Sequence, residues 1–178
     1  KQKTAYEIYQ CDWSSDVCSS DLLNDVMIRE GTETDRHDWV RLRHALWPGS
    51  LSDHEEETRA FFEKRLKTPV VFVAETNGRI VGFLELDFRK YAPGCQSSPV
   101  AFIEGWYVEP ESQGQGIGRA LMEAAEAVAV AAGHHEIASD ADIENAQGIA
   151  AHRAVGFVEI ERVVCFRRSL RQQPGREV

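Results

Sequence analysis

Val108-Glu-Pro-Glu-Ser-Gln-Gly-Gln-Gly-Ile-Gly-Arg119 is the stretch that decides the fold, because it joins a β-branched, aromatic segment to an Ala-rich one. Its three closely spaced glycines let the backbone approach a ligand and direct amide N–H groups at it. The Ala-rich residues Gly116–Ala132 predict a long helix that Gly133 stops, and the N-terminus of such a helix favours a diphosphate. Arg119 adds a charge that can pair with phosphate. The stretch predicts a strand, a ligand-binding turn and a helix.

The residues far upstream of this turn predict one strand and two helices. Met27–Arg29 predicts the strand, and Asp35–Leu46 carries apolar residues at helical spacing behind a candidate N-cap, Thr34. Ser52 is the predicted N-cap of the second helix, which ends near Leu66.

Three strands lead directly into the glycine turn. Val70–Glu75 is strongly β-branched, and Asn77-Gly78 separates it from Ile80–Phe88 with a strong hairpin signal. Pro99–Val108 follows. A dinucleotide-binding fold has its glycine loop after the first strand of a βαβ unit, so this element order argues against that alternative.

Short elements follow the long helix. Glu136–Ser139 predicts a strand, Ala146–Val155 a helix that ends at Gly156, and Phe157–Arg167 two further strands with a bend near Glu161. The predicted order is β-α-α-β-β-β-α-β-α-β-β, an α/β (α+β) fold in a single domain.

Two motifs resemble the acetyl-CoA-dependent GNAT N-acetyltransferase superfamily. One is Gln-x-x-Gly-x-Gly, beginning at Gln113 after a strand that ends Val-x-Pro and followed by Leu121; the other is Asn145 with Gly156-Phe157. The resemblance covers residues 27–168. It implies the GNAT fold, with a central mixed, mostly antiparallel twisted sheet flanked by helices.

Further blocks are similar to one subgroup, the aminoglycoside 6′-N-acetyltransferases. They are Leu46-Trp-Pro-Gly49, Cys95-Gln-Ser-Ser-Pro-Val-Ala-Phe-Ile-Glu-Gly105, Ala138-Ser-Asp140, His152 and Gly156-Phe-Val-Glu-Ile-Glu-Arg-Val163. Because several of them lie outside the cofactor motif, they bear on the acceptor as well as on acetyl-CoA. The alternatives are a GNAT enzyme acting on a polyamine, protein or metabolite amine, and a non-catalytic acetyl-CoA-binding module.

The resemblance implies acetyl-CoA as co-substrate and no metal. The residues it assigns to the cofactor are Trp106, Tyr107, Val108, Gln113, Gly114, Gln115, Gly116, Ile117, Gly118, Arg119, Asn145 and His152.

The acceptor site of an enzyme that binds a cationic amine should present carboxylates. Alternation along its strand places Glu104 on the face of two apolar residues, where a lone carboxylate is costly unless it is paired or functional. The other interpretation of Glu104 is a strand-end charge in water, and that of Asp140 is an Asx turn or helix cap. By resemblance both bind the acceptor amine, and the sequence does not decide which is the base. The resemblance also assigns Trp47, Tyr91 and Glu161 to the acceptor, although the two aromatics could simply pack on the sheet edge.

His152 stands where many GNAT enzymes have a tyrosine that protonates the leaving thiolate. A histidine can donate a proton near neutral pH, and the alternative is a helix-face histidine bonded to a carbonyl. A covalent route through Cys95 lacks a base nearby in the sequence, so direct transfer is favoured.

The composition limits the classes of binding partner and the cellular compartment that we expect. The net charge of −9 disfavours nucleic acid and suits a cationic partner. No apolar run approaches the roughly 18 residues of a membrane helix. The four cysteines form no CxxC pair, which favours reduced thiols and a cytoplasmic protein, with a Cys95–Cys165 disulfide left open.

The chain ends differ from the body. Residues 1–26 are rich in Ser and Asp without periodicity and resemble a translated sequencing adapter, which predicts a non-native or disordered leader. Residues 27–168 form the acetyltransferase domain, and residues 169–178 a frayed tail. The family resemblance and the strand-rich C-terminus suggest a homodimer.

Overall fold

A computed structural model describes residues 26–63 and 70–169 of the chain. The strands are β1 (Val26–Glu30), β2 (Val70–Thr76), β3 (Arg79–Arg89), β4 (Val100–Val108) and β5 (Ile137–Ser139). The helices are α1 (Arg36–Leu46), α2 (Leu51–Phe62), α3 (Ile117–Ala131) and α4 (Ala146–Ala154), with short 3-10 turns at Glu33–Asp35 and Pro110–Ser112. The predicted order is confirmed from the first strand to the last helix.

The strands form one mixed sheet in the order β1-β2-β3-β4-β5. The first three pairings are antiparallel, and β4 pairs with β5 in parallel. At the predicted hairpin, Asn77 and Gly78 have φ angles of 50° and 74°, the left-handed pair that a type I′ turn requires. The sheet therefore has the mostly antiparallel, mixed architecture expected from the resemblance.

Helices cover both faces of the sheet. On one face α3 buries Leu121 and Met122 against Leu84 and Ile103, and on the other α1 buries Trp39 against the sheet. Each face removes large apolar side chains from water, which is the main stabilising contribution to such a layered fold. The glycine turn lies between β4 and α3 and is held by both.

Both predicted helix caps are displaced by two residues. The Asp35 carboxylate accepts from the backbone N–H of Thr32, and Thr32 rather than Thr34 is the cap of the 3-10 turn that leads into α1. Ser50, not Ser52, accepts from the Asp53 N–H and caps α2. Extended backbone at Thr32 and Ser50 gives these side chains the geometry that an N-cap needs.

The prediction of two strands over Phe157–Arg167 is wrong for the single chain, since residues 157–169 contain no helix or strand. Ile160 of this segment packs against Gly94. A cleft of about 840 Å³ lies between the segment and β5. Without an adjacent strand edge its N–H and C=O groups have no ladder to join. The Leu66 helix end, the leader up to residue 25 and the tail from residue 170 lie outside the described residues.

Candidate active site

The edge of β4 is free where the cofactor is expected. β4 and β5 pair only at Ala101–Ile137, Phe102–Ala138 and Ile103–Ser139. Beyond Ile103, β4 continues to Val108 with no strand on that side among the described residues. The outward N–H and C=O groups of this half of β4 can therefore pair with an extended ligand, as an added strand would.

The glycine turn opens onto space. Gly114 and Gly116 have φ angles of 74° and 82°, and a Cβ on either residue would meet no atom within 4 Å. These left-handed angles favour glycine. Helix α3 begins directly afterwards at Ile117, so its first-turn N–H groups and positive dipole end face the turn. The arrangement suits a diphosphate.

Four polar side chains brace the turn. Gln113 Nε2 donates to the Val108 carbonyl at 2.9 Å, and Gln147 on α4 donates to the Gln113 amide oxygen. Gln115 donates to the Glu111 carbonyl at 3.2 Å. Arg119 Nη2 donates at 2.8 Å to the Ala154 carbonyl at the end of α4. These bonds connect β4, the turn and α4, and the predicted contact of Arg119 with phosphate stays a prediction.

Trp106 lies beneath the turn. A Cβ at Gly118 would approach Trp106 Cζ2 to 3.1 Å, so α3 packs closely on this ring because residue 118 is glycine. The buried Trp106 Nε1 has no acceptor among the described residues. A buried donor without a partner is costly unless a ligand or water satisfies it.

His152 is held at the mouth between β4 and β5. Its Nδ1 lies 2.7 Å from the Gly148 carbonyl, and its Nε2 lies 2.9 Å from Ser139 Oγ. Because a carbonyl only accepts, Nδ1 carries a proton, and in the neutral ring Nε2 accepts from the serine. Asn145 caps α4 by accepting from the Gly148 N–H at 2.8 Å. The ring is thus oriented with Nε2 at the place where the two strands separate.

A second cleft, of about 520 Å³, lies on the face of the sheet that α1 covers and is rich in carboxylates. We name it the acidic cleft; its lining residues are Trp39, Arg43, Trp47, His54, Glu57, Phe61, Glu85, Asp87 and Glu104. Trp47 lies over Gly105, whose added Cβ would come within 2.5 Å of Trp47 Cη2. The structure brings the predicted residues Trp47 and Glu104 together here.

Glu85 is the principal residue of the acidic cleft that sequence reasoning missed. It is only 6% exposed, and its Oε1 accepts from Trp39 Nε1 at 2.8 Å and Arg43 Nη1 at 2.6 Å. Burial raises the pKa of the Glu85 carboxyl, and the charge and hydrogen bond of Arg43 oppose this rise. The sequence signal that could have identified Glu85 is its spacing from Asp87, because two carboxylates two residues apart in an otherwise apolar strand lie on the same face of the sheet.

The remaining predicted acceptor residues lie elsewhere. Asp140, His152 and Glu161 line the larger cleft beside β5, while Tyr91 is 71% exposed and lines neither cleft. Arg89 also lines the larger cleft, and its Nε donates to Glu104 Oε1 at 2.7 Å. The Arg89–Glu104 pair therefore marks the boundary between the two clefts.

Other classes of site receive no support from the described residues. Cys95 and Cys165 are free thiols, and burial followed by the charge of Glu136 raises the Cys95 pKa, which disfavours its thiolate as a nucleophile. Within residues 26–63 and 70–169, no group of three or more His, Cys, Asp or Glu could hold a metal. No helix in these ranges is long and apolar enough to span a bilayer.

Known proteins are similar to this chain in sequence and in fold. Residues 36–157 match the model of the acetyltransferase (GNAT) family. Aminoglycoside N(6')-acetyltransferase type 1 of Stenotrophomonas maltophilia is 45% identical over 144 residues, which cover 80% of this chain and 93% of that protein. The structure of AAC(6')-Iy in complex with the bisubstrate analog CoA-S-monomethyl-acetylneamine is similar with a TM-score of 0.75, at 33% identity, and covers 82% of this chain and 99% of that one. AAC(6')-Ih from Acinetobacter baumannii gives a TM-score of 0.76 at 35% identity, with coverages of 82% and 99%.

Proposed function

The chain belongs to the acetyltransferase (GNAT) family, and from this membership we propose that it transfers acetyl from acetyl-CoA to the 6′-amine of aminoglycoside antibiotics. The observation that carries the proposal is the 45% identity to an aminoglycoside N(6')-acetyltransferase over most of both chains. The AAC(6')-Iy complex supports it, because its ligand joins CoA to an aminoglycoside fragment.

The cofactor site fits CoA on three counts: a free β4 edge, an open glycine turn and an orphaned buried donor at Trp106. Bound acetyl-CoA supplies an acetyl group activated as a thioester. We assign the diphosphate to the first-turn amides of α3 and the turn itself, and the pantetheine arm to the edge of β4. The residues in these roles are Trp106, Tyr107, Val108, Gln113, Gly114, Gln115, Gly116, Ile117, Gly118, Arg119, Asn145 and His152.

The acceptor is held by carboxylates at the boundary of the two clefts. Glu104 and Asp140 pair with the reacting ammonium, and Trp47 offers its ring to a sugar face or cation. Tyr91 and Glu161 contact the outer rings of the aminoglycoside. An ammonium has no lone pair, so a carboxylate of Glu104 or Asp140 accepts its proton before the nitrogen attacks the acetyl carbonyl directly.

Two groups assist the departure of the thiolate. A backbone N–H at Tyr107 or Val108, on the free edge of β4, polarises the carbonyl under attack. His152 delivers a proton from Nε2 after the imidazole takes up a second proton, since Nδ1 donates to Gly148. Ser139 Oγ, 2.9 Å from this nitrogen, is its hydrogen-bond partner in the absence of the thiolate.

The proposal is tested by CoA release and product mass with an aminoglycoside that carries a free 6′-amine. The matched control acceptor carries a hydroxyl at that position and should release no CoA. The Glu104→Gln variant should lower kcat/KM by at least about a hundredfold, the range of general base catalysis. Glu123→Gln, an exposed carboxylate change on α3, should leave the rate unchanged.

The same assay separates the alternatives. CoA release with spermidine or a peptide amine, but with no aminoglycoside, would assign the enzyme to another amine. Binding of acetyl-CoA without transfer to any amine would identify a non-catalytic module. Either result overturns the aminoglycoside proposal.

We also propose a homodimer built on the C-terminal segment. Val158, Ile160, Val163, Val164 and Phe166 are all exposed, Phe166 by 93%, in a segment whose sequence predicts strands. Such a run of exposed apolar side chains is unusual for a monomer. A second copy covers it. Light scattering on the full chain should give twice the monomer mass, and Val164→Asp with Phe166→Asp should give the monomer mass; a wild-type monomer would refute the proposal.

The location and domain limits follow from the same features. We place the enzyme in the cytoplasm, because Cys95 and Cys165 are free thiols and its donor is acetyl-CoA. Its net charge of −9 suits a cationic acceptor and neither nucleic acid nor a membrane surface. We assign the catalytic domain to residues 27–168; a protein truncated to residues 27–178 should match the full chain in kcat/KM.

A further inference from the structure

Arg89 occupies an unusual position next to the proposed base. It is the last residue of β3, and it meets Glu104 of β4 through two hydrogen bonds: Nε donates to Oε1 at 2.7 Å, and Nη2 donates to Oε2. This is the two-pronged geometry in which a guanidinium matches a carboxylate best. Both oxygens of Glu104 are thus already engaged by a cation.

The guanidinium is held in place from a second side. Its carbon lies 3.5 Å from the centre of the Phe102 ring, which is within range of a cation–π contact. The pKa of Arg89 is raised, first by its hydrogen bond to Glu104 and further by the charges of Glu104, Asp140 and Asp87. Arg89 therefore pairs directly with Glu104 and also experiences the charges of Asp140 in the larger cleft and Asp87 in the acidic cleft.

The pair is poised to open. The Arg89 side chain is 41% exposed and that of Glu104 28%, so solvent reaches both partners and screens the attraction between them. An acceptor ammonium has the same charge and the same donors as the guanidinium. Arg89 already occupies one lone pair on each oxygen of Glu104 and repels a second cation, so the ammonium and the guanidinium compete for this carboxylate.

We propose that Arg89 is a specificity-determining residue, a built-in cation that occupies Glu104 until a cationic acceptor displaces it. Arg89 lines the larger cleft together with Asp140, so a guanidinium released from Glu104 still faces a carboxylate there. Arg89 lowers the affinity of the site for every cation and excludes those that cannot replace it. This inference rests on the proposed function and adds a role to a residue outside the catalytic set.

The test compares acceptor binding to wild type and Arg89→Gln by calorimetry, with an aminoglycoside that carries a free 6′-amine. Arg89→Gln should bind it about fivefold more tightly, the upper value for a half-exposed ion pair that no longer competes. Its affinity should also fall more steeply with added salt, because one more carboxylate pairs with the ligand. Arg89→Lys keeps the positive charge but cannot make the bidentate hydrogen bonds, so its affinity for the aminoglycoside should lie between those of wild type and Arg89→Gln.

Two controls keep the result interpretable. Arg79→Gln removes an equal charge from the other end of β3, where Arg79 pairs with Glu109, and should leave acceptor affinity unchanged. In a Glu104→Gln background, Arg89→Gln should give no further gain. Weaker or equal binding by folded Arg89→Gln, or a similar gain in Arg79→Gln, overturns the inference. A wild type that binds no aminoglycoside overturns the proposed function as well.

Discussion

Gly105→Ala should move the aromatic wall of the acidic cleft. The new Cβ would lie 2.5 Å from Trp47 Cη2, 3.1 Å from Trp47 Cζ2 and 3.2 Å from Phe83 Cε2. Ordinary carbon contacts are about 3.5–4.0 Å, so the Trp47 ring must withdraw by about 1 Å. Arg43, 5.0 Å from its centre, and Phe83 flank the ring, which leaves the cleft itself as the free direction.

Two magnitudes follow from this displacement. Overpacking of this kind costs about 1–3 kcal/mol of unfolding free energy. A shift of about 1 Å in a positioning residue lowers kcat/KM for the acceptor by about ten- to hundredfold. The KM for acetyl-CoA should change less than about twofold, because Trp47 lies on the acceptor side.

The assay is steady-state kinetics with each substrate varied in turn, together with urea unfolding. Gly118→Ala is the control variant on the cofactor side, where the new Cβ would lie 3.1 Å from Trp106 Cζ2. This variant should raise the KM for acetyl-CoA and not the KM for the acceptor. Replacing Trp47 by Phe in the Gly105→Ala background should restore stability by removing the clashing ring. A stable Gly105→Ala enzyme with unchanged acceptor kinetics would refute this account of the cleft.

Three further outcomes are expected. Gly116→Val places a β-branched residue at φ 82° in the turn and should weaken CoA binding, measured by calorimetry, more than about tenfold. Gly133→Val, with the same backbone strain at φ 85° and equally open surroundings, should leave CoA binding unchanged. An equal loss of CoA affinity in the two variants would contradict the assignment of the turn. His152→Ala should lower kcat by at least about a hundredfold, the range of general acid catalysis, and an unaltered kcat would assign the proton transfer to water. The hydrogen bond from Arg29 lowers the pKa of Asp35 to about 2. The ionised Asp35 carboxylate therefore contributes about 2 kcal/mol to the free energy of unfolding, and this contribution is present above about pH 4 and is lost as the pH falls towards 2. Asp35→Asn should therefore be less stable than wild type at neutral pH, and its unfolding free energy in urea should change less than that of wild type between pH 4 and 2. If both proteins lose the same stability between pH 4 and 2, the pairing of Asp35 with Arg29 does not contribute as described.

The position of Glu104 shows where reasoning from sequence reached its limit. Simple alternation predicted a carboxylate on a core face, and the side chain is indeed partly buried. The pairing of β3 with β4 shifts between Glu85 and Leu86, which leaves Glu104 opposite no residue. A bulge of this kind redirects a side chain, and it depends on two strands at once.

The sequence alone determined the features that depend on neighbouring residues. The glycine turn, the Asn77-Gly78 hairpin and the order of elements up to α4 follow from backbone preferences and local periodicity, which act over a few residues. The family motifs added the cofactor and the acceptor class.

Only the tertiary structure decided which distant side chains meet. Arg89 with Glu104, Arg43 with Glu85, and Trp47 over Gly105 join residues far apart in sequence, through a register that no single strand encodes. The strands predicted after Gly156 do not form for the same reason: a strand must lie against the edge of another strand, and a cleft separates this segment from β5.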